Sequence, residues 1–409
     1  MKIAIVNQFY LPDSVPTAQL AGSLAEFLAD RGHTVTVVSG RGAYDGGAAG
    51  ADDAGGVRVV RLWTPALGKR SLAARAADYA AFYAQAAAAL PALPRQDAVV
   101  AMTTPPFVAL AAWLHKLAHP RAKLVLWNMD SYPEVAEMTG HLRRGSPLSH
   151  LLRAANRFLF RKLDLVVALD YAMAQSLAGS YAPRRRPGPD VVVVPNWERL
   201  AAFPPPESRR GAPPEGLGGR FVVLYLGNAG NAHEFGAVLD AAEAMRGEAV
   251  TFLFVGGGAK WAELDRLRRE RGLANVVLRG YVPKGETGAL MAGSDAALIT
   301  LREGALGLVS PSKLHAYLAL ALPVVYVGPE GSNVDEAVRV HGVGFSLRPG
   351  DGPGVAAAVR SLRAAPGLAA QMGRNARAAF EGVYCDEKAV PLLADALAAA
   401  VARRGANRR

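Results

Sequence analysis

Short apolar runs alternate with helical stretches along almost the whole chain, and that alternation leaves few folds open. Runs suited to buried strands occur at Lys2–Asn7, Thr34–Ser39, Val57–Leu62, Asp97–Met102, Lys123–Trp127, Leu163–Ala168 and Val191–Val194. Helical patterns lie between them, the first over Ala18–Arg31 and closed by Gly32. Strand, helix, strand in repetition specifies a parallel sheet wound on both faces. Composition then shifts: Phe203–Arg220 carries Pro204-Pro205-Pro206, Pro213-Pro214 and several glycines. Such a stretch reads as a linker. Beyond it the alternation restarts, with strands expected at Phe221–Leu226, Thr251–Val255, Val276–Arg279, Ala296–Thr300 and Val324–Val327. The expected architecture is α/β, two doubly wound Rossmann-like domains facing across a cleft at the carboxyl ends of their strands. The expected boundaries are 1–200 for the first domain, 201–220 for the linker and 221–380 for the second. Residues 381–409 are expected to form a helix and basic tail crossing back to the first domain.

At 409 residues two cores are the default. No apolar window is long enough to span a bilayer, and the Met1–Val6 opening reads as a strand rather than a signal peptide. The single cysteine, Cys385, permits neither an internal disulfide nor a cysteine metal cluster, which suits the cytosol. The charge balance, 46 basic against 35 acidic residues, gives +11. That suits phosphorylated small molecules, an anionic leaflet or nucleic acid, and does not choose between them.

The most telling short segment is Ser310-Pro311-Ser312-Lys313-Leu314-His315-Ala316-Tyr317. Ser310 suits a helix N-cap and Pro311 the first helical position. Ser312 and Lys313 then fall in the first turn, where free N–H groups attract phosphate. A lysine there opposes the dipole unless an anion neutralises both; the alternative is a solvated lysine on an ordinary helix. Gly227-Asn228-Ala229-Gly230-Asn231 follows a strand, and its glycines allow close approach to a ligand. Here His233 reads as a polar rim residue. Gly256-Gly257-Gly258 suits either a nucleotide or a tight turn. Tyr281, in Gly280-Tyr281-Val282-Pro283, ends a later strand at the same edge. In the first half, Tyr10 and Ser14, Thr104, and Asp130 with Tyr132 follow three strands at the carboxyl edge. Asp130 suits either orienting a hydroxyl nucleophile or capping the next helix. Lys69–Leu90 places Lys69, Arg70 and Arg75 beside Leu72, Tyr79, Phe82 and Tyr83. That composition fits either an anionic membrane surface or a helix packed on its own sheet. No H-E-x-x-H or G-x-S-x-G occurs, so metal- and serine-hydrolase chemistry has no support.

With these residues in order, the chain resembles retaining glycosyltransferases of the GT-B fold, family 4, in the bacterial exopolysaccharide or colanic-acid-type branch. The resemblance rests on Asn7–Asp13, Gly32–Val37, Met102–Pro106, Asp130–Glu134 and Val194–Trp197. It continues through Gly227–Gly230, Val255–Gly258, Pro311–Lys313 and Pro349–Asp351. It implies a nucleotide-diphosphate-sugar donor held mainly by the second domain, through Gly227, Asn228, Gly230, Asn231, Gly256, Gly257, Tyr281, Ser310, Ser312 and Lys313. A lipid-linked or polysaccharide acceptor would dock on the first, near Tyr10, Ser14, Thr104, Asp130 and Tyr132. No metal and no cofactor is expected, because basic side chains and helix N-termini take the diphosphate charge. Asp130 and Lys313 are the expected catalytic residues; nucleic acid is not an expected partner. The expected setting is cytoplasmic, peripheral on the inner face of the membrane.

Two departures from the family stand out. Its paired glutamates fall here on Leu308 and Ala316. Ribose recognition would then shift to Glu330, Ser332 or Asn333, with Glu303 as a further carboxylate. The loss also admits a degenerate nucleotide-sugar-binding subunit, and the fold admits a sugar-nucleotide epimerase. The loop Ser14-Val15-Pro16-Thr17 lacks the family's glycine pair.

Overall fold

In the computed structural model, residues 1–41, 53–65, 72–183, 187–204 and 211–403 are described. The chain forms two compact units. The first comprises residues 1–134, 142–195 and 389–409, and the second residues 135–141 and 196–388.

The first unit carries β1 (Lys2–Val6), α1 (Pro16–Asp30), β2 (Thr34–Gly40), β3 (Asp53–Ala54), β4 (Val57–Leu62), α2 (Leu72–Ala92) and β5 (Ala98–Ala101). It continues with α3 (Ala109–Ala118) and β6 (Lys123–Trp127) and, after the short α4 (Glu134–Met138), of which all but Glu134 belongs to the second unit, with α5 (Pro147–Phe160), β7 (Leu165–Ala168), α6 (Tyr171–Tyr181) and β8 (Asp190–Val193). The strand order is β3-β4-β2-β1-β5-β6-β7-β8, parallel except where β3 runs antiparallel to β4. Its central strands are apolar on both faces, as a sheet covered on both sides requires: Ile3–Val6 and Ala98–Ala101 are all buried. Winding reverses between β1 and β5, so the loops after these strands meet. Gln8 N–H donates to Thr104 O at 2.7 Å.

The second unit carries β9 (Phe221–Asn228), α7 (Gly236–Ala244), β10 (Val250–Gly257), α8 (Trp261–Glu270), β11 (Val276–Arg279), α9 (Lys284–Ala292) and β12 (Ala296–Thr300). After these come α10 (Lys313–Ala319), β13 (Val324–Val327), α11 (Asn333–His341), β14 (Gly344–Leu347), α12 (Gly352–Ala364) and α13 (Pro366–Ala379). The last helix, α14 (Asp386–Ala402), runs from the end of the second unit into the final segment of the first. The six-stranded sheet is parallel throughout, in the order β11-β10-β9-β12-β13-β14. Winding reverses between β9 and β12. In open α/β sheets the crevice at that reversal, outside the carboxyl ends of the strands, is where ligands bind.

Three elements differ from the sequence reading. β3 and β14 are extra edge strands, the first only two residues long and the second glycine-led, so neither shows as an apolar run. The helix expected from Pro311 begins at Lys313 and is seven residues long, and Ser310 does not cap it. Asn333 Nδ2 donates to the Pro311 carbonyl at 3.3 Å, and the His315 N–H turns instead to Ser312 O, three residues back. The turn therefore tightens and the regular ladder starts later.

The far end of α10 is held by buried Arg377. Its guanidinium donates to Ala319 O at 2.7 Å, to Phe203 O at 2.8 Å and to Glu381 at 2.6 Å. Arg377→Met strands both carbonyls, so it should destabilise the second unit by about 2–4 kcal/mol in denaturant titration. An unchanged midpoint would mean these bonds hold nothing in place.

Candidate functional site

The reversal point of the second sheet gathers residues from four segments. Tyr317 lies buried on α10, and its hydroxyl accepts the Leu226 N–H of β9 at 2.8 Å. That bond sets α10 against the carboxyl end of β9. Lys313 is one helical turn before Tyr317, on the same face, so its amine reaches the same strand end. The Lys313 stem lies against Gly227, where an added Cβ would meet Cε at 3.3 Å. At Gly256 the close approach is backbone on backbone: φ is +141°, and a Cβ would collide with the Gly227 carbonyl. Only glycine fits there. Tyr281, 69% exposed, lays its ring edge over Gly257.

Lys313 Nζ donates to the Asn228 carbonyl at 3.3 Å and faces His233 Nε2 at 3.4 Å. It stands 4.6 Å from the centre of the Tyr225 ring. His233 Nδ1 is 2.8 Å from Thr300 O, a bond in which nitrogen must donate. Nε2 is thereby left as the lone pair that faces the amine. Burial and the adjacent ammonium push the His233 pKa down to about 3, so the ring is neutral. Burial also lowers Lys313 to about 8. Among the described residues no carboxylate forms an ion pair with Lys313. A cation is thus held by a carbonyl, a neutral imidazole and an aromatic face, all of which leave its charge uncompensated.

Beside this amine opens a depression of about 440 Å³, lined by His233, Glu234, Lys260, Arg302, Glu303, Gly304 and Pro349. Its polar rim suits hydroxyl-rich ligands. Of these, Glu303 was a sequence candidate. Sequence reasoning missed His233 as a working residue, and missed Arg302 and Lys260; the only available signal was their place just past strand ends.

The remaining expectations for this unit sort clearly. Asn228, Gly230 and Asn231 form the loop after β9, and Asn231 O accepts from Arg302 at 3.5 Å. Ser312 is exposed and Ser310 half-buried. Ser332 and Asn333 both turn inward. Ser332 is buried; its hydroxyl accepts the Asp335 N–H at 3.1 Å and donates to Tyr326 at 2.7 Å, capping α11. Asn333 is buried; its Nδ2 supports the Pro311 carbonyl, and its Oδ1 has no hydrogen-bond partner among the described residues. Glu330 projects outward, 81% exposed, towards Arg348. Ala316 sits in α10, half-buried, with no carboxylate to offer.

In the first unit, Asp130 follows β6 in a tightly held loop. Thr103 Oγ1 accepts the N–H groups of Met129 at 3.1 Å and Asp130 at 3.2 Å. Asn156 donates to Tyr132 O at 2.6 Å, and Glu134 accepts from Arg153 at 2.8 Å and from the Tyr181 hydroxyl. The Asp130 carboxylate caps no helix, because α4 starts four residues later at Glu134. Desolvation raises its pKa to about 6. The Tyr10 ring is 4% exposed, with the Arg61 guanidinium 5.8 Å from its centre. Thr104 is half-buried and Ser14 exposed. Of the basic residues in the membrane candidate, Lys69 and Arg70 lie outside the described residues, as does the Arg75 side chain. Phe82, Ala86 and Leu90 of α2 are buried in the unit's own core.

Two family models match in series. The glycosyl transferase 4-like domain covers residues 17–203, and the glycosyl transferases group 1 domain covers residues 220–364. The chain thus carries two glycosyltransferase domains in series, on a GT-B fold. It is 29% identical to the "Probable glycosyltransferase WbjE" of Pseudomonas aeruginosa over 262 residues, 63% of this chain and 64% of that one. The alignment therefore spans somewhat under two thirds of that relative. It is 24% identical to the "Putative colanic acid biosynthesis glycosyl transferase WcaI" of Escherichia coli K12, over 78% of this chain and 81% of that one. Among solved structures, the fold matches Anabaena HepE in complex with UDP-glucose at a TM-score of 0.66 and 18% identity, covering 98% of this chain and 100% of that one. The group 1 domain carries the Lys313 cluster, and the 4-like domain carries Asp130.

An anion that pairs with Lys313 stabilises its protonated form and raises its pKa. Affinity for a diphosphate diester, which has no ionisation of its own in this range, should therefore be level from pH 6 to 7.5 and fall as pH rises through about 8. His233, neutral throughout, should give no inflection near pH 6.5. Titrations that instead broke near 6.5 would assign the anion to another cation.

Proposed function

We propose that this chain is a retaining glycosyltransferase that moves a sugar from a nucleotide-diphosphate-sugar to a lipid-linked or polysaccharide acceptor in cell-surface glycan biosynthesis. The observation that carries the reading is the uncompensated Lys313 ammonium at the strand reversal of the second sheet. A diphosphate supplies the missing charge. The family models support the reaction class, and the UDP-glucose bound by HepE supports the donor class.

In this reading charge grows on the departing diphosphate as the sugar becomes oxocarbenium-like, and Lys313 meets that charge without reorganising. His233 and Asn228 hold the amine in place. The loops at Gly227–Asn231 and Gly256–Gly257 let the nucleotide lie close to the backbone, with Tyr281 at their edge. Asp130 orients the acceptor hydroxyl, and the leaving diphosphate takes the hydroxyl proton. No protein nucleophile and no metal are needed in this scheme. Glu303 and the polar rim around it receive sugar hydroxyls. We place the enzyme on the cytoplasmic side, peripheral to the membrane that carries its acceptor. No described helix is long and apolar enough to cross a membrane. Ala316, in place of the family's ribose-binding glutamate, favours one second reading, a nucleotide-sugar-binding subunit without turnover.

A thermal-shift panel of UDP-, GDP-, ADP- and TDP-sugars identifies the donor, since a ligand of the folded state raises its melting temperature. With that donor, Lys313→Ala should lower kcat/KM by about 10³-fold with an unchanged fold. Asp130→Asn should lower it about 10²-fold and remove an acid limb near pH 6. Donor binding with no turnover on any acceptor supports the subunit reading, and full activity of Lys313→Ala rejects the site.

A further inference from the structure

We infer that Thr103 binds the acceptor: its hydroxyl donates to a second acceptor oxygen, beside the hydroxyl that Asp130 orients, so the acceptor ends in a pyranose with two neighbouring free hydroxyls. The inference rests on the proposed role of Asp130 and narrows the acceptor class. Strands β5 and β6 are parallel neighbours, with Ala101 opposite Leu126. Just past that pair stand Thr103 on one chain segment and Met129 and Asp130 on the other. Thr103 Oγ1 accepts two N–H groups there, from Met129 at 3.1 Å and from Asp130 at 3.2 Å. Thr104, the neighbour that sequence reasoning preferred, gives its carbonyl to the Gln8 N–H.

A hydroxyl has two lone pairs and one proton. Both lone pairs of Thr103 are taken by those amides, so its proton is left to be donated. Among the described residues nothing receives it. Thr103 is 8% exposed, which leaves little room for water to do so. The Asp130 carboxylate is the opposite case. Among the described residues no donor reaches it. The two do not satisfy each other, since no bond joins the Thr103 hydroxyl to that carboxylate. As an anchor for the loop Thr103 would need only its lone pairs, and a side-chain carbonyl supplies those without a stranded proton. One committed donor and one committed acceptor thus meet at a single loop junction, each short of a partner.

A ligand that answers both must donate to the carboxylate and accept from the hydroxyl. Phosphate only accepts, and its charge is repelled by Asp130. An ammonium only donates. A lone alcohol can do both through one oxygen, but a bond from Thr103 would then draw electron density from the atom that attacks. Two neighbouring hydroxyls divide the work. One donates to Asp130 and keeps its lone pair for the anomeric carbon, and the other accepts from Thr103. A pyranose ring fixes such a pair at short spacing, with little rotational freedom to lose. A site built to hydrogen-bond a hydroxyl also rejects the analogue that lacks it, because a buried polar group is then left unpaired.

Acceptor kinetics decide the matter, using the full chain, the donor found by the thermal-shift panel, and p-nitrophenyl hexopyranosides with their monodeoxy analogues as acceptors. Farnesyl phosphate is the anionic comparison. Removing the hydroxyl beside the glycosylated one should lower kcat/KM about tenfold in wild type and in Thr103→Ser, but less than about twofold in Thr103→Ala. Donor affinity should stay at its wild-type value in both variants. If Thr103 only held the loop, Thr103→Ala would slow every acceptor and leave the deoxy penalty as it was; that equal penalty overturns the inference. Three results on wild type alone also overturn it: no penalty at either neighbouring position, transfer to farnesyl phosphate in preference to every pyranoside, or no pyranoside bound in saturation-transfer NMR. Should pyranosides bind without transfer, the same deoxy comparison is made on their Kd. Pyranoside binding with a Thr103-dependent deoxy penalty, in a protein that binds no nucleotide sugar, sinks the transferase reading and leaves this site standing.

Discussion

The candidate site depends on one cation without a counterion. Lys313 has a carbonyl, an imidazole nitrogen and a ring face around it, and among the described residues no carboxylate pairs with it. Folding brings the amine partly out of water, and that cost appears as its lowered pKa. An acidic partner would have removed the cost and also removed the affinity for an anionic ligand. His233 avoids this: its Nδ1 bond to Thr300 fixes the tautomer, so it accepts from the ammonium without bringing a charge. The site thus holds a positive charge in place and keeps it available.

That arrangement depends in turn on how the sheet is wound. β9 and β12 are neighbours at the reversal of strand order, so the loops after both open onto one crevice. The bond between Tyr317 and the Leu226 N–H fixes α10 at that crevice, and Arg377 holds the other end of the helix. Glycines at 227 and 256 let the two strand ends and the lysine stem approach one another. In the first unit the same logic brings the loops after β1 and β5 together, and a net of side chains around Thr103, Asn156 and Glu134 steadies the segment bearing Asp130.

Much of this was legible in the sequence because it is local. Apolar runs such as Lys2–Val6 and Val324–Val327 mark buried parallel strands by themselves. Gly227 and Lys313 could be picked out because strand-then-glycine and Pro-Ser-Lys are short patterns. What stayed hidden is long-range. Nothing in the sequence near Asn333 says that it grips Pro311, or that Ser332 spends its hydroxyl on a cap. His233 looked like a rim residue because its role comes from Thr300, 67 residues away. Residues 135–141 belong to the second unit although the chain on both sides belongs to the first, a placement no local pattern encodes. The Lys69–Leu90 stretch drew attention for its basic and aromatic residues, yet Phe82, Ala86 and Leu90 spend their apolar surface on the core.

The central claim concerns protonation of one amine on binding an anion, and calorimetry reads that directly. UDP binding is measured at pH 8 in two buffers of different ionisation enthalpy, with wild type and Lys313→Met. The account predicts uptake of a fraction of a proton by wild type, and none by Lys313→Met, which also binds more weakly. Equal proton uptake by both proteins, or none by either with affinity unchanged, would contradict it.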